Sequence, residues 1–515
     1  MKSVENNLYR IFERHFPESR EAVLIDAGGG ERYTYDDAET QSALLAQYFT
    51  SLGLEPGDRI TVQVEKSPQF LWLYLACLRA GLVFHPLNTA YQRAELEYFI
   101  ADAEPAAIIC DTKKLPLFTE LAAGIRHLFT LDSDGTGSLF QSCRDSVREG
   151  QIAHGFSTRA LEPDALAALL YSSGTTGRPK GIMLSHRNLA ANAEVLVQAW
   201  GFTSADRLLH ALPVFHVHGL FVAIGCVLAS GASLVWLPKF DVAQVLERLP
   251  DATVFMGVPT FYTRLLQAPT FSAGLVSGMR LFISGSAPLL AETFNAFKAC
   301  TGHVILERYG MTETNMNTSN PLRGERKPGT VGMPLPGVEV RVVDENGKVL
   351  GDVGAVGNLQ VKGKNVFRGY WRMPEKTAED FTGDGFFNTG DKASIDSDGY
   401  VTIVGRSKDM IISGGLNIYP KEIEAVIDKI DGVVESAVIG VEHPDFGEGA
   451  VAVVVAQSAE KLAADDIITR LKTSLAAFKV PKKVVFVDEL PRNAMGKVQK
   501  NVLRQRYAGL LKLIQ

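Results

Sequence analysis

Residues Tyr171 to Gly181 read YSSGTTGRPKG, and the fold is decided by what flanks them. Upstream, Ala165 to Leu170 is an apolar run that suits a buried strand; downstream, Ser185 can cap a helix beginning near Arg187. The expectation is strand, glycine-rich loop, helix. Gly174, Gly177 and Gly181 let backbone N–H groups face a ligand, Ser172, Ser173, Thr175 and Thr176 offer hydroxyls, and Lys180 adds a point charge behind Pro179. Such a loop suits a polyphosphate. Its glycine spacing is not the GxxxxGK[ST] of P-loop NTPases, and taken alone it reads equally as a surface loop.

Outward from this loop the chain alternates strands with helices. Ile60 to Glu65 and Ala106 to Asp111 have strand composition, Phe70 to Ala80 and Ala94 to Ala101 helical composition, and after the loop ATVFMGVP and MRLFISGSAPL supply further apolar strands. Alternation of this kind implies parallel sheets covered by helices, here two α/β layers. Beyond Gly337 the texture changes. VEVRVVDENGKVL alternates around Asn346-Gly347, a hairpin turn signal, and NLQVKG follows, so this segment reads as a small antiparallel sheet or barrel. KASID and YVTIV flank Asp398-Gly399; a two-residue turn there places opposite each other residues whose numbers sum to 797, so Asp391 faces Arg406. MIISGGLNIYPKEIEAVIDKI, VESAVIGV and AVAVVVA then build a small α+β domain, with Pro420 in the first turn of its helix. The predicted domains are residues 1–407 and 408–515.

Length and composition agree with that layout and exclude several functions. A chain of 515 residues allows roughly three domains. A net charge of −6 without an extended basic run argues against a partner held by nucleic-acid phosphates. Five scattered cysteines without metal-ligand spacing fit free thiols in a reducing compartment, and the N-terminus lacks an apolar signal core, so a cytoplasmic location is expected. Gly219 to Leu237 carries no charge, yet Gly231 sits where a helix would end and ASLVWLP has strand composition, so it reads as buried helix then buried strand rather than a membrane span.

Taken together, YSSGTTGRPKG, LPVFHVHG, SGSAPL, YGMTE, NTGD, GRSKD, GGLNIYPKEIE and LPRNAMGK resemble the motif set of the adenylate-forming superfamily of acyl-CoA synthetases, luciferases and adenylation domains. FHVHGLFVA, GVPTFYTRLL, ERYGMTETNMNTSNP and HPDFGEG are more similar to the bacterial malonyl-CoA synthetase subgroup. The resemblance implies a carboxylate activated by ATP to acyl-AMP and then transferred to coenzyme A, with Mg²⁺ bound and malonate, or methylmalonate, as the acid.

Roles follow from the same resemblance. Ser172 to Gly177 and Lys180 would hold the phosphates, with Thr176 and Glu313 at Mg²⁺ and Thr312 at phosphate. Ser284, Gly285, Ser286 and Ala287 would lie against adenine and Glu307 to Met311 (ERYGM, with Arg308 and Gly310) around it, Tyr309 stacking. Asp391 and Arg406 would take the ribose. Lys497 would bridge the attacking carboxylate and the α-phosphate, and is a potential target of a lysine acetyltransferase and deacetylase. Lys408 falls at the hinge, and Gly414 and Gly415 at the pantetheine tunnel. His216 would gate the acyl pocket, and Arg264, with Asn315 and Asn317 nearby, is the expected partner of a second carboxylate, which cannot be buried bare. Arg280 reads as structural. Two other readings are an adenylation enzyme that loads a carrier protein, which release of a CoA thioester in a carrier-free assay disposes of, and a catalytically silent nucleotide-binding protein, which pyrophosphate exchange disposes of.

Overall fold

The apolar runs fold as alternation dictates. In the computed structural model, which describes residues 6–153, 155–173, 179–287, 289, 291–406, 411–418, 420–457, 462–491 and 498–512, Arg59–Gln63, Val83–Pro86, Ala107–Cys110 and His127–Thr130 form parallel strands beside Leu166–Ser173. The helix Pro68–Ala80 crosses between the first two. It is hydrophobic all round and therefore wholly enclosed; Ser67 caps its start and Gly81, at φ +74°, ends it.

The glycine-rich stretch departs from expectation in one respect. Pro179–Ser185 is itself a strand, antiparallel to Leu166–Ser173 with Ser172 opposite Lys180, so a strand stands between the glycine-rich stretch and the helix. The helix His186–Trp200 follows only then. Its capping box is closed by Ser185 and Asn188, at 3.1 Å and 2.9 Å. Residues 174–178, including Gly174, Thr175, Thr176 and Gly177, lie outside the described residues.

The second sheet is nine-stranded among the described residues, with Val254–Gly257, Leu281–Ser284 and Leu306–Met311 parallel neighbours at its middle. Their carboxyl ends lie side by side, on the edge where open α/β sheets usually bind ligands. Residues 218–237 form a buried helix that begins as a π-helical turn, His218–Ala223, continues as Ile224–Leu228 and leads into the strand Ser233–Trp236. No described helix is long and apolar enough to cross a membrane. All five cysteines are free, and four of them are buried.

Val338–Val343, Gly357–Gly363, Phe387–Ile395 and Val401–Arg406 make the antiparallel sheet expected after Gly337. Asn346-Gly347 does turn the chain, with Gly347 at φ +81°, but the long strand partner of Val338–Val343 is Gly357–Gly363. The small domain is a sheet whose two faces carry separate cores, Ile411, Ile423 and Ile427 on one side and Ile439, Val451 and Leu503 on the other. Between Ile411–Ser413 and Leu416–Ile418, Gly414 and Gly415 have φ of +57° and +79°, the pair of left-handed residues that a type I′ turn requires.

Candidate active site

Three strand ends supply the floor of the candidate site. Leu281–Ser284 delivers Ser284, Gly285, Ser286 and Ala287; Leu306–Met311 delivers Glu307, Arg308 and Tyr309; Val254–Gly257 delivers Gly257, whose carbonyl accepts from Gly285 N at 3.3 Å. Ser286 is held at φ +70°, an uncommon conformation for a residue with a side chain and one that clusters at functional sites.

Arg308 dominates this floor. Its side chain is buried, and a Cβ added at Gly285 would lie 2.3 Å from Cζ and 2.5 Å from Nε, so only glycine leaves room for the guanidinium. Nε and Nη2 have no hydrogen-bond partner, and neither do the buried Ser284 Oγ, His218 Nε2 and Glu307 Oε2 nearby. Buried polar groups are normally satisfied, because each unpaired one costs roughly 1–3 kcal/mol. Burial lowers the guanidinium pKa to about 10, which still leaves it charged at neutral pH. This is a cation with open donors.

Two histidines stand over it. Burial, then the charge of Arg308, lowers His216 to about 4 and His218 well below the usual range, so both rings are neutral. His218 Nδ1 lies 3.2 Å from Ser286 Oγ, and His218 N donates to His216 Nδ1 at 3.2 Å. Glu307 is pushed up to about 7 by burial, while its Oε1 accepts from Leu289 N at 3.1 Å. One guanidinium beside two neutral rings, with Glu307 only partly ionised at neutral pH, can accept a carboxylate.

Of the residues expected at the nucleotide, Asp391 is buried, accepts from the Tyr309 hydroxyl at 2.5 Å, and is paired in register with Arg406. Thr312 and Glu313 occupy the tight turn between Leu306–Met311 and Asn315–Ser319, where a Cβ at Gly310 would lie 1.9 Å from Asn315 O. Glu313 is buried and its carbonyl accepts from Phe367 N at 2.7 Å. Lys180, also buried, reaches toward Asp380 at 3.7 Å and lies over the Tyr370 ring at 4.3 Å. Lys408 and Lys497 fall outside the described residues.

The residues expected around a second carboxylate are placed differently. Tyr262 and Leu265 are the buried positions of the helix Pro259–Gln267, which turns Arg264 toward the small domain. There it makes a two-pronged pair with Asp445, at 3.1 Å and 2.6 Å. Asn315 and Asn317 are spent on a buried amide network: Asn315 Nδ2 donates to Asn365 O at 3.0 Å, and Asn317 bonds Thr314 Oγ1 at 2.7 Å while accepting from Asn365 Nδ2 at 3.0 Å. Arg280 is structural as expected, paired with Asp206 at 2.6 Å. No local signal singles out Arg308, because LERYGM sets Glu307 beside it, and the resemblance assigned both to the nucleotide. A Cβ at Gly415 would stand 2.8 Å from Val258 Cγ1, so the Gly414-Gly415 turn approaches the body of the protein closely.

Comparison with known proteins places this geometry. A family model described as AMP-binding enzyme matches residues 12–371, and one described as AMP-binding enzyme C-terminal domain matches residues 422–497. A malonate–CoA ligase of Arabidopsis thaliana is 35% identical, the match covering 98% of this chain and 90% of the relative. ATP-bound MatB from Rhodopseudomonas palustris is 51% identical over 99% of this chain and 100% of that chain, with a TM-score of 0.77. A malonyl-CoA ligase in a ternary product complex with methylmalonyl-CoA and AMP is 33% identical over 94% and 100%, with a TM-score of 0.80.

Proposed function

The chain belongs to the AMP-binding enzyme family, and on that premise we propose that it is a malonate–CoA ligase. One carboxylate of malonate attacks the α-phosphorus of ATP, the bond to pyrophosphate breaks, and malonyl-AMP forms. The thiol of coenzyme A then attacks the malonyl carbonyl, loses its proton, and AMP departs with the electron pair of the broken C–O bond.

The observation that carries the choice of acid is Arg308. A monocarboxylate would present a methyl or ring to unpaired guanidinium donors; malonate presents a second carboxylate. His216 and His218, neutral at working pH, add donors without adding charge, and Ser286 is held by His218 within reach of the same floor.

The remaining roles rest on the motif positions. Asp391 takes the ribose hydroxyls, Ser284 to Ala287 and Tyr309 flank adenine, and Ser172, Ser173, Lys180 and residues 174–177 hold the phosphates. Glu313 would supply a carboxylate to Mg²⁺ and Thr176 a hydroxyl; one or two protein carboxylates are what this cation takes when substrate phosphates supply other oxygens. The ion's chemistry is to neutralise charge on the phosphate oxygens. Lys497 stabilises charge developing between the attacking oxygen and the α-phosphate, and acetylation there would switch off the first step while leaving the second.

We further propose that residues 408–515 rotate as a unit about Lys408 and that the arrangement described here is that of the CoA step. The Gly414-Gly415 turn already lies against the body at Val258. The product complex superposes at 0.80 with 33% identity, whereas ATP-bound MatB superposes at 0.77 with 51%. The lower score of the closer sequence supports a different orientation of the small domain in the two structures.

The deciding experiment is AMP release with ATP, Mg²⁺ and CoA against malonate, methylmalonate, acetate, butyrate and coumarate, for wild type, Arg308→Met and Arg264→Met. Malonate turnover lost selectively in Arg308→Met supports the reading. A wild-type preference for a monocarboxylate rejects it.

A further inference from the structure

The junction between body and small domain contains a buried ion triad. Lys479 meets Glu422 of its own domain, in the first turn of the helix Pro420–Ile427, and Glu95 of the body helix Arg93–Ala103, each at 2.7 Å. Side-chain exposures are 3% for Lys479, 6% for Glu95 and 11% for Glu422. The ammonium also lies 4.8 Å from the centre of the Tyr91 ring. Charges so enclosed are tolerated only when paired, and removing one member of such a group is strongly unfavourable.

The membership of the triad determines how it behaves. Lys479 and Glu422 share a domain and move together, whereas Glu95 is neutralised only while the small domain is docked as it is here. Glu95 Oε2 is engaged separately, accepting from Gln92 N at 2.9 Å as the cap of its helix. Rotation of the small domain therefore breaks one contact and returns all three groups to water, stranding no charge. Such a contact holds firmly when closed and releases without a residual buried ion. The Arg264–Asp445 pair marks the same orientation at the other end of the junction.

We propose that Glu95 is a positioning residue for the second half-reaction: through Lys479 it holds the small domain where coenzyme A attacks. This rests on the reading of the docked arrangement as that of the CoA step. The test uses Glu95→Gln, because glutamine at the third helical position keeps the cap while removing the charge. Two rates are measured on the full chain, acid-dependent ATP–pyrophosphate exchange and thioester formation from supplied acyl-AMP and CoA, with the melting temperature alongside. The expected result is exchange within about twofold of wild type and a CoA step slowed by about tenfold, as a population shift of that size produces. Lys479→Met, which removes the cation from the other side of the same contact, is expected to slow the CoA step at least as much while exchange is again retained. An unchanged CoA step, or equal losses in both rates with a lowered melting temperature, overturns the proposal. Wild-type exchange with malonate tests the substrate separately, because the ratio of the two rates can be read with any acid the enzyme activates.

Discussion

Asp391 and Arg406 face each other across the mouth of a hairpin whose register slips by one residue between that pair and the turn. Asp391 also accepts from Tyr309, so one buried carboxylate joins two sheets. A ribose hydroxyl given to that carboxylate forms a charge-assisted bond worth about 1.5–3 kcal/mol. Asp391→Ala is therefore expected to weaken ATP binding more than tenfold in isothermal titration, while the malonate KM at saturating ATP stays near wild type. Tyr309→Phe, which leaves the carboxylate in place, should cost less. Equal ATP affinity in Asp391→Ala and wild type would remove Asp391 from the nucleotide site.

That hairpin also shows how far the sequence can be read. The Asp–Gly signal implies a two-residue turn, but Asp396 N bonds Tyr400 O and Gly399 N bonds Asp396 O, giving a longer loop with Gly399 at φ +84° and Ile395 opposite Val401. A bulge between Lys392 and Ala393 then restores the expected register, so the functional pair came out right through two offsetting irregularities. Elements with strong periodicity, such as Pro68–Ala80 and Val254–Gly257, were legible outright. Pro179–Ser185 was not, because proline, lysine and glycine at its start mask a strand that tertiary pairing creates. Burial is likewise tertiary: nothing local distinguishes Arg308, enclosed beneath Gly285, from Arg264, turned outward to Asp445.

Arg308 gives the sharpest prediction about substrate. A site built around a polar group rejects analogues lacking it by on the order of 10⁴, so wild type is expected to discriminate strongly against acetate. Arg308→Met should collapse that ratio by lowering kcat/KM for malonate without a matching loss for acetate. A readout independent of turnover is available, since a ligand that binds the folded state raises its melting temperature. The shift induced by malonate is expected to vanish in Arg308→Met, and to shrink in Gly285→Ala, whose new methyl would stand 2.3 Å from the guanidinium carbon. A full malonate-induced shift in Arg308→Met would send the second carboxylate elsewhere.

The pH dependence of stability follows from opposite shifts. Burial lowers His186 to about 3 and His216 to about 4, so the folded state keeps both rings neutral while the unfolded chain takes up protons below about 6.5. Their contribution is present above that value and is lost as pH falls toward 4. Glu307, raised by burial to about 7, runs the other way: its contribution is complete below the ordinary glutamate range and is lost as pH rises through 7. Urea melts from pH 4 to 8 should therefore show a maximum between the two limbs. His186, fully buried and accepting from Leu8 N at 3.0 Å, isolates the acid limb. His186→Gln is expected to flatten it by up to about 1.4 kcal/mol per pH unit, the slope of one proton, and Glu307→Gln to flatten the neutral limb; an unaltered acid slope in His186→Gln would mean that this ring is not buried neutral.

Lys66 offers a prediction about how the histidine pair is held. Its buried amine donates to His210 Nδ1 at 2.7 Å, His210 O at 2.8 Å and Leu237 O at 2.6 Å, and lies 4.3 Å from the Trp236 ring centre. Burial keeps the His210 ring neutral and pushes the Lys66 amine well below the usual lysine range; Gly219 O can only accept, so Nε2, 2.9 Å away, carries the ring proton and Nδ1 accepts from Lys66. Gly219 lies in the π-helical turn that begins with His218, packed so closely that a Cβ there would stand 2.0 Å from Pro213 O. The chain Lys66, His210, Gly219 thus fixes the turn from which His218 reaches Ser286. Lys66→Met frees the tautomer and withdraws a donor from Gly219, so the malonate KM should rise about tenfold, the effect of one lost hydrogen bond to a charged group, with the ATP KM within about twofold. His210→Gln, whose amide can both accept from Lys66 and donate to Gly219, should be milder. Steady-state kinetics in both substrates decides the matter: if the two KM values move together, Lys66 supports the fold at large rather than the acyl pocket.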